Sequence, residues 1–515
     1  MPVQASHIAV IVLYLITLGV LAFYGVHRSA LLYLYLKHRR DRIEPKDHFR
    51  EQDLPVLTVQ LPMFNEMYVA KRLIEAAAAI DYPRDRLEVQ VLDDSTDATQ
   101  TIAKETCEAL RARGIDVVYR HRSVRSGYKA GALAEGLRIA KGEFVLIFDA
   151  DFVPGPGIAR SLIDYFTDEG VAMVQARWGH LNRRHSLLTR CQAMLLDGHF
   201  MIEHSARHRS GRYFNFNGTA GMWRKTAIED AGGWQHDTIT EDMDLSYRAQ
   251  LRGWRFVYAV DVEAPAELPF EMTSFKSQQY RWAKGSVQTA MKLLLPILRA
   301  PIPTKVKVEA FFHLTNNVAY LFLLVLAVLQ LPNMIIRRQI EHPELLMLDV
   351  PLFLATCGSV AVFYVVAHRD LYGSRWDAVK KLPTMMALGI GLAVNNARAA
   401  LEGMFGRDAV FVRTPKRGLV DGQRVGAGRY RGRWSWHNVV ELFFASYCLI
   451  TLGFALATGS WASIPFVLLF CAGFWSVGVT SMVEALRRPT PQSAPEVVTQ
   501  PPSTHSSPSP QSMLS

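Results

Sequence analysis

Six acidic residues carry most of the chemistry this sequence can do: Asp93, Asp94, Asp149, Asp151, Glu241 and Asp242. Asp149 and Asp151 stand in FDADF, directly after the apolar run EFVLIF (143–148). Two carboxylates one residue apart at a strand end can share a hard divalent cation, which prefers oxygen ligands and bridges to substrate phosphates. Two turn aspartates account for the same pair. Asp93 and Asp94, in VLDDSTD, offer acceptors to a ribose or base, or a cap to the next helix. In TITEDMDLSYRAQLRGW (238–254) Thr240 reads as a helix cap. Glu241, Asp242 and Asp244 then fall in the first turn, where acids complement the helix dipole. The functional alternative is Asp242 as general base on an alcohol. Lys129, in GYKAGAL, is either a cation for a diphosphate or a solvated helix lysine. FNFNGTAGMWR (214–224) is compatible with a sugar-binding edge or an ordinary hairpin.

QQYRWAKG (278–285) collects planar and cationic groups about twenty-five residues before the chain turns lipid-like. On a helix Gln278, Arg281 and Trp282 fall at i, i+3 and i+4 and share a face, with Gln279 and Tyr280 pointing elsewhere, to packing or solvent. Arg281 then suits a diphosphate as a bidentate donor, Trp282 can stack on a sugar and Gln278 can hydrogen-bond nearby. An interfacial helix with a snorkelling Arg and an anchoring Trp explains the stretch taken alone.

These residues need elements to hold them. VLTVQL (56–61), LEVQVL (87–92), IDVVYR (115–120), EFVLIF (143–148) and VAMVQA (171–176) are short β-branched runs, and helical patterns separate the first four. Strands alternating with helices predict a doubly wound, mostly parallel α/β sheet, whose ligands sit at the carboxyl ends of its strands. PMFNE, DDSTD and DADF lie at those ends. With no GxGxxG and no GxxxxGK[ST], dinucleotide and P-loop readings have no support.

Half of the 515 residues are hydrophobic, and they are unevenly spread. Runs at 7–26, 314–331, 352–367, 439–457 and 461–483 are long enough to span a bilayer. The first is read as an anchor, because KHRR follows where a signal peptide would carry small residues. The net charge of +10 comes largely from basic clusters flanking these runs, which the positive-inside rule explains and nucleic-acid binding does not require. With KHRRDR inside, the N-terminus lies outside and the globular region is cytoplasmic. The run 385–405 is interrupted by Asn395, Asn396, Arg398 and Glu402, so it reads as an interfacial or re-entrant helix. Five scattered cysteines give neither a disulfide framework nor a zinc site. The organisation expected is an anchor (1–36), a globular α/β domain (50–290), a membrane domain (291–487) with a basic loop at 407–434, and a disordered Pro/Ser-rich tail (488–515).

Taken in order, DD (93–94), DAD (149–151), TED (240–242) and QQYRW (278–282) resemble the D, DxD, TED and QxxRW motifs of processive family 2 glycosyltransferases, the cellulose and hyaluronan synthase type. The strings VQLPMFNE, QVLDDSTD, GYKAGAL, FDADF, VQARW, FNGTAG, AGGW, EDMDL and GWRFVY look like the plant cellulose-synthase-like mannan synthases and their bacterial relatives. The resemblance runs from about Leu54 to Gly285 and more loosely through the spans. FVRTPKRG (411–418) resembles the family's FxVTxK gating loop through Phe411, Thr414 and Lys416, with Arg413 where the family has Val.

The resemblance implies a GT-A domain between transmembrane helices and an inverting, processive transfer of hexose from a nucleotide sugar to a β-1,4-linked polysaccharide. GDP-mannose comes first as donor and UDP-glucose next. Asp93, Asp94, Lys129, Asp149 and Arg281 would meet the nucleotide and its diphosphate, and Asp149 and Asp151 would hold Mg²⁺ or Mn²⁺. Asp242 would be the base, with Glu241 beside it. Gln278, Trp282, Asn217, Gly218 and Thr219 would meet the acceptor. A channel would begin near Trp282, and Asn316 and Asn317 would line it or bond helix to helix. A single-sugar transfer to lipid is the alternative, opposed by QxxRW and the loop. An inactive scaffold would be expected to have lost some of the carboxylates. The partners expected are the donor, the polysaccharide acceptor and membrane lipid, with accessory or periplasmic subunits left open. The expected location is a bacterial inner membrane, or a Golgi membrane in a eukaryote.

Overall fold

A computed structural model describes residues 5–340, 345–406, 416–422 and 436–486. Seven strands form one mixed sheet: β1 (Leu57–Met63), β2 (Leu87–Asp93), β3 (Val117–His121), β4 (Phe144–Ile147), β5 (Val171–His180), β6 (Gly221–Arg224) and β7 (Arg255–Ala266). Their order is β3-β2-β1-β4-β6-β5-β7. Strands β1 to β4 pair in parallel, as do β5 and β7; β6 runs antiparallel to both β4 and β5. All five runs read as strands are strands. The sequence pattern missed β6 and β7: β6 is four residues long and follows the turn of 214–220, too short for a period to register.

Strand alternation explains the burial. Phe144, Leu146 and Phe148 join the apolar cluster on one face with Val59, Leu61, Leu73 and Ile74, while Val145 and Ile147 join Leu133, Phe216 and Trp223 on the other. The first face is apolar along β1 and β4. On the second, β1 and β2 bury polar residues that pair across the strands: Thr58 donates to Glu88 at 2.7 Å and Gln60 to Gln90 at 3.0 Å. Pairing offsets much of what burial would otherwise penalise, although Gln60 Oε1 has no hydrogen-bond partner among the described residues. Gly136, in the helix Tyr128–Ile139, lies directly over this ladder, where a β-carbon would overlap both glutamines.

Among the described residues, five helices are long and apolar enough to cross a membrane: Ala5–His38, Thr304–Gln339, Leu348–Tyr372, His437–Ala457 and Trp461–Leu486. They cover the five runs picked out above. The run 385–405 is not among them. It forms parts of two helices, Arg375–Gly391 and Ala393–Phe405, broken at Leu392. The second packs on the 28-residue helix Met272–Arg299 that carries QQYRW, hereafter the site helix. Asn395 donates to the Lys276 carbonyl at 3.0 Å, and Glu402 accepts from Tyr280. Asn395, Arg398 and Glu402 are therefore partners of the site helix.

The N-terminal end of the site helix is also tied to the long apolar helices. Glu484 accepts from the Met272 and Thr273 amides at 2.8 and 3.0 Å, filling acceptor positions that a helix start leaves empty. Lys276 forms a buried ion pair with Glu441.

Candidate active site

The carboxyl ends of β1, β2 and β4 open onto a cleft of about 180 Å³. Asp149 and Asp151 follow β4, Asp94 follows β2, and Glu241 and Asp242 begin the helix Glu241–Leu251. Gln278, Arg281 and Trp282 close it from the site helix, and Lys416 reaches in from 416–422. Backbone strain collects here. Asn65 after β1, Tyr128 at the start of the Lys129 helix and Ala220 before β6 all hold positive φ, at 56°, 50° and 55°. Non-glycine residues rarely adopt that region, and they cluster where a site demands it.

Each aspartate after β4 meets a lysine. Lys129 pairs with Asp149, donates to the Gly218 carbonyl at 2.8 Å and lies 4.0 Å from Glu241. Lys416 pairs with Asp151 and donates to the Glu267 carbonyl at 3.0 Å. Arg281 sits in the field of both aspartates, and burial lowers its pKa to about 10. The donor set suits a hard cation: two carboxylates on one short loop face the same cleft, already balanced by two positive groups. Among the described residues no cluster of three or more His, Cys, Asp or Glu could hold a metal alone, so such an ion would draw further ligands from a substrate.

Asp242 is set differently. Its Oδ1 accepts from the Met243 amide at 2.8 Å. Its Oδ2 is directed toward Gly218, where even a β-carbon would stand only 3.0 Å away. Burial, and then the charge of Glu241, push its pKa up to about 7. Burial raises Glu241 as well. The site helix holds the start of this acidic helix: Gln288 accepts from the Ile239 amide at 3.0 Å, and the Thr289 and Thr240 hydroxyls lie 3.2 Å apart. Thr240 is at the cap position, but its side chain makes no capping bond.

A second cavity of about 290 Å³ continues toward the apolar helices, past Tyr24, His199, Phe312, Asn316, Asn317 and Tyr320. Trp178, Asn217, Thr240, Asp242, Gln278 and Trp282 line both spaces and form a wall between them. A carboxylate base thus stands where a cation-rich cleft meets an aromatic and amide-lined one.

Known proteins carry the same arrangement of sequence. Residues 55–285 match the family described as glycosyltransferase like family 2, and residues 220–365 match cellulose synthase. Glucomannan 4-beta-mannosyltransferase 2 of Arabidopsis thaliana is 37% identical over 368 residues, 69% of this chain and 68% of the relative. Glucomannan 4-beta-mannosyltransferase 1 of Oryza sativa subsp. japonica is 34% identical over 468 residues, 86% and 87% of the two chains. The chain belongs to the family 2 glycosyltransferases of the cellulose-synthase-like branch. It is a hexosyltransferase that builds β-linked polysaccharide processively from a nucleotide sugar. Among solved structures, the mannosyltransferase PcManGT from Pyrobaculum calidifontis, in complex with GDP-Man and Mn2+, aligns at a TM-score of 0.48 with 20% identity, over 75% of this chain and all of that one.

The glycosyltransferase brings most of the expected residues together and relocates several. Asp93 does not line the cleft: its buried carboxylate accepts from Tyr119 at 2.8 Å and from the Ser95 amide at 2.9 Å. Asp94 does line it, gripped in bidentate fashion by Arg122 at 2.6 and 2.7 Å. Thr219 is likewise buried behind the surface, accepting from the Asp149 amide at 2.9 Å, while Asn217 and Gly218 face the cleft. Lys129 is not a solvated lysine. Gln279 is corrected too: it lines the second cavity, whereas Tyr280 packs against Glu402 and Arg398. Asn317 both lines that cavity and donates to Ser286 at 2.7 Å. Phe411 and Thr414 lie outside the described residues; Lys416 is in the cleft.

Sequence reasoning passed over Arg122 and Arg125 of this glycosyltransferase, although RHRSVR (120–125) is a basic cluster that flanks no span. Arg125 stacks on Phe64 with 3.6 Å to the ring centre, at the cleft wall. Glu267 was missed as well. Its buried carboxylate accepts from the Arg417 and Gly418 amides at 3.0 and 2.8 Å and so seats Lys416. Nothing local in AELPF marks that role.

Proposed function

We propose that the enzyme transfers mannose from GDP-mannose to the end of a growing β-1,4-linked mannan or glucomannan. The observation that carries this reading is the wall shared by the two cavities, with Asp242 in it: donor on one side, acceptor on the other. The mannose assignment is supported by the names of the plant relatives. In the cleft Lys129, Arg281 and Lys416 would meet the diphosphate, with Asp94 toward the nucleoside. Asp149 and Asp151 would hold Mg²⁺ or Mn²⁺, which would neutralise charge on the leaving diphosphate. On the other side Trp282 and Gln278 would meet the terminal sugar.

Asp242, with a pKa near neutrality, suits a general base at physiological pH. It takes the proton of the acceptor hydroxyl as that oxygen bonds to the anomeric carbon, and the glycosyl–phosphate bond breaks with its electron pair leaving on the nucleoside diphosphate. Attack opposite the leaving group inverts an α-linked donor to a β-linked product. No enzyme nucleophile is required. The fixed cations act where negative charge grows, which is where preorganised charge lowers a barrier. We assign 50–290 to the catalytic unit, facing the cytoplasm, because the basic flanks of the spans favour that side.

The test is direct. Membranes carrying the enzyme, given labelled GDP-mannose, UDP-glucose or GDP-glucose with Mg²⁺ or Mn²⁺, are expected to form alkali-stable polymer from GDP-mannose fastest. Polymer from UDP-glucose alone would replace mannan by glucan. Product confined to a one-sugar lipid would overturn the polymerase reading.

A further inference from the structure

Asn217, in the wall between the two cavities, is held by two histidines that the mechanism above does not use. Its Nδ2 lies 3.1 Å from His199 Nε2, and its Oδ1 lies 2.5 Å from His204 Nε2. His199 Nδ1 in turn lies 2.9 Å from a Glu203 carboxylate oxygen. With His199 neutral, one proton assignment closes this chain without setting like groups face to face. Glu203 accepts from His199 Nδ1–H, leaving His199 Nε2 bare to accept from Asn217 Nδ2–H; Asn217 Oδ1 then accepts from His204 Nε2–H. With that neutral His199, flipping the amide would set its oxygen against the bare His199 Nε2, two acceptors face to face. His204 Nδ1 is then bare, and it is a buried atom without a hydrogen-bond partner among the described residues.

The charge states agree with that assignment. Burial holds the His204 ring well below its usual range, so it is neutral. Burial opposes the charge of Glu203, but Arg207, 3.4 Å away, and the hydrogen bond from His199 outweigh it and hold the carboxyl well below its usual range.

The backbone makes the clamp possible. His199 and His204 lie in a π-helical segment, Gly198–His204, between the helices Leu187–Asp197 and Ser205–Arg209. In an α-helix residues five apart diverge by roughly 140° around the axis. The i→i+5 winding of a π-helix brings them together, and their ring centres are 4.4 Å apart. The Asn217 amide N–H donates to Gln175 Oε1 at 3.1 Å, so main chain and side chain are both fixed. One Nδ2 hydrogen and one Oδ1 lone pair of Asn217 remain without a protein partner among the described residues, and Asn217 lines both cavities together with Asp242.

We propose that His199 and His204 are positioning residues, locking the Asn217 amide so that its remaining hydrogen and lone pair bind hydroxyls of the acceptor's terminal sugar and aim the reacting one at Asp242. The inference rests on the donor and acceptor sides assigned above. A locked donor–acceptor pair fits a sugar carrying adjacent hydroxyls, and it matters to an oriented acceptor far more than to water.

The experiment measures two rates on the full-length enzyme in detergent with GDP-mannose: transfer to a β-1,4-mannose oligosaccharide, and hydrolysis of the donor by water. His204→Phe keeps the ring and removes the donor; transfer is expected to fall at least tenfold, with an acceptor KM several-fold higher, while hydrolysis and donor KM stay within about twofold. His204→Gln, which carries an amide N–H about where Nε2–H stands, restores most of the lost transfer. Should His204→Phe not accumulate, His199→Phe removes the other half of the clamp and is expected to give the same shift toward hydrolysis. Transfer and hydrolysis falling together, or Phe and Gln behaving alike, would overturn the clamp. If the wild type makes polymer and His204→Phe keeps the wild-type ratio, the clamp alone is wrong; if the wild type transfers from none of the nucleotide sugars, the proposed function is wrong and the clamp with it.

Discussion

Asp242 and Glu241 are adjacent on one helix turn, and the second charge is part of what raises the pKa of the first. Asp242→Asn is expected to abolish transfer, by 10³-fold or more, while GDP binding stays nearly intact; binding and turnover measured on the same preparation check it. The pH dependence follows from the direction of the shift. A base must be deprotonated, so kcat/KM should fall about tenfold per unit as the pH drops below about 7 and level off above it. Glu241→Gln removes a neighbouring negative charge, lowers the Asp242 pKa, and should move that acid limb to lower pH. An unmoved limb in Glu241→Gln would assign the titration to another group.

At the scale of elements, the site depends on how closely the site helix approaches the acidic helix. Gly285, last residue of QQYRWAKG, is where they touch: a β-carbon there would overlap the Thr240 side chain, with Oγ1 only 2.7 Å away. Gly285→Ala should push the two helices apart, costing about 1–3 kcal/mol of stability and at least tenfold in transfer. Thr240→Ala in the same chain should give part of the activity back, as polymer assays and thermal melts of both variants will show. This contact also marks the limit of sequence reading. Periodicity revealed the strands, and strand ends located the aspartates, because both are local properties. The shared face of Gln278, Arg281 and Trp282 was legible for the same reason. Asp93 and Thr219 lie behind the cleft surface because one residue of offset decides whether a side chain faces the cleft or the core. The π-helical turn, Glu267 and the Gly285 contact depend on partners distant in sequence, which no period records.

The whole molecule couples this site to its apolar helices. Lys276 on the site helix and Glu441 on the helix His437–Ala457 are buried together. Removing one partner leaves an uncompensated charge, so Lys276→Met should destabilise by about 3–5 kcal/mol. The double variant with Glu441→Leu should recover much of that in a thermal melt. In sealed vesicles, donor supplied to the face bearing the catalytic unit should yield polymer inside, protected from added glycosidase until detergent is present. The wall shared by the two cavities has one more consequence. On the proposed reading, a freshly joined sugar occupies the space the next donor needs, so the chain end must slide past Trp282 before another GDP-mannose can settle. Entry and advance then alternate by exclusion, without a separate timer, and product length becomes a contest between sliding forward and letting go.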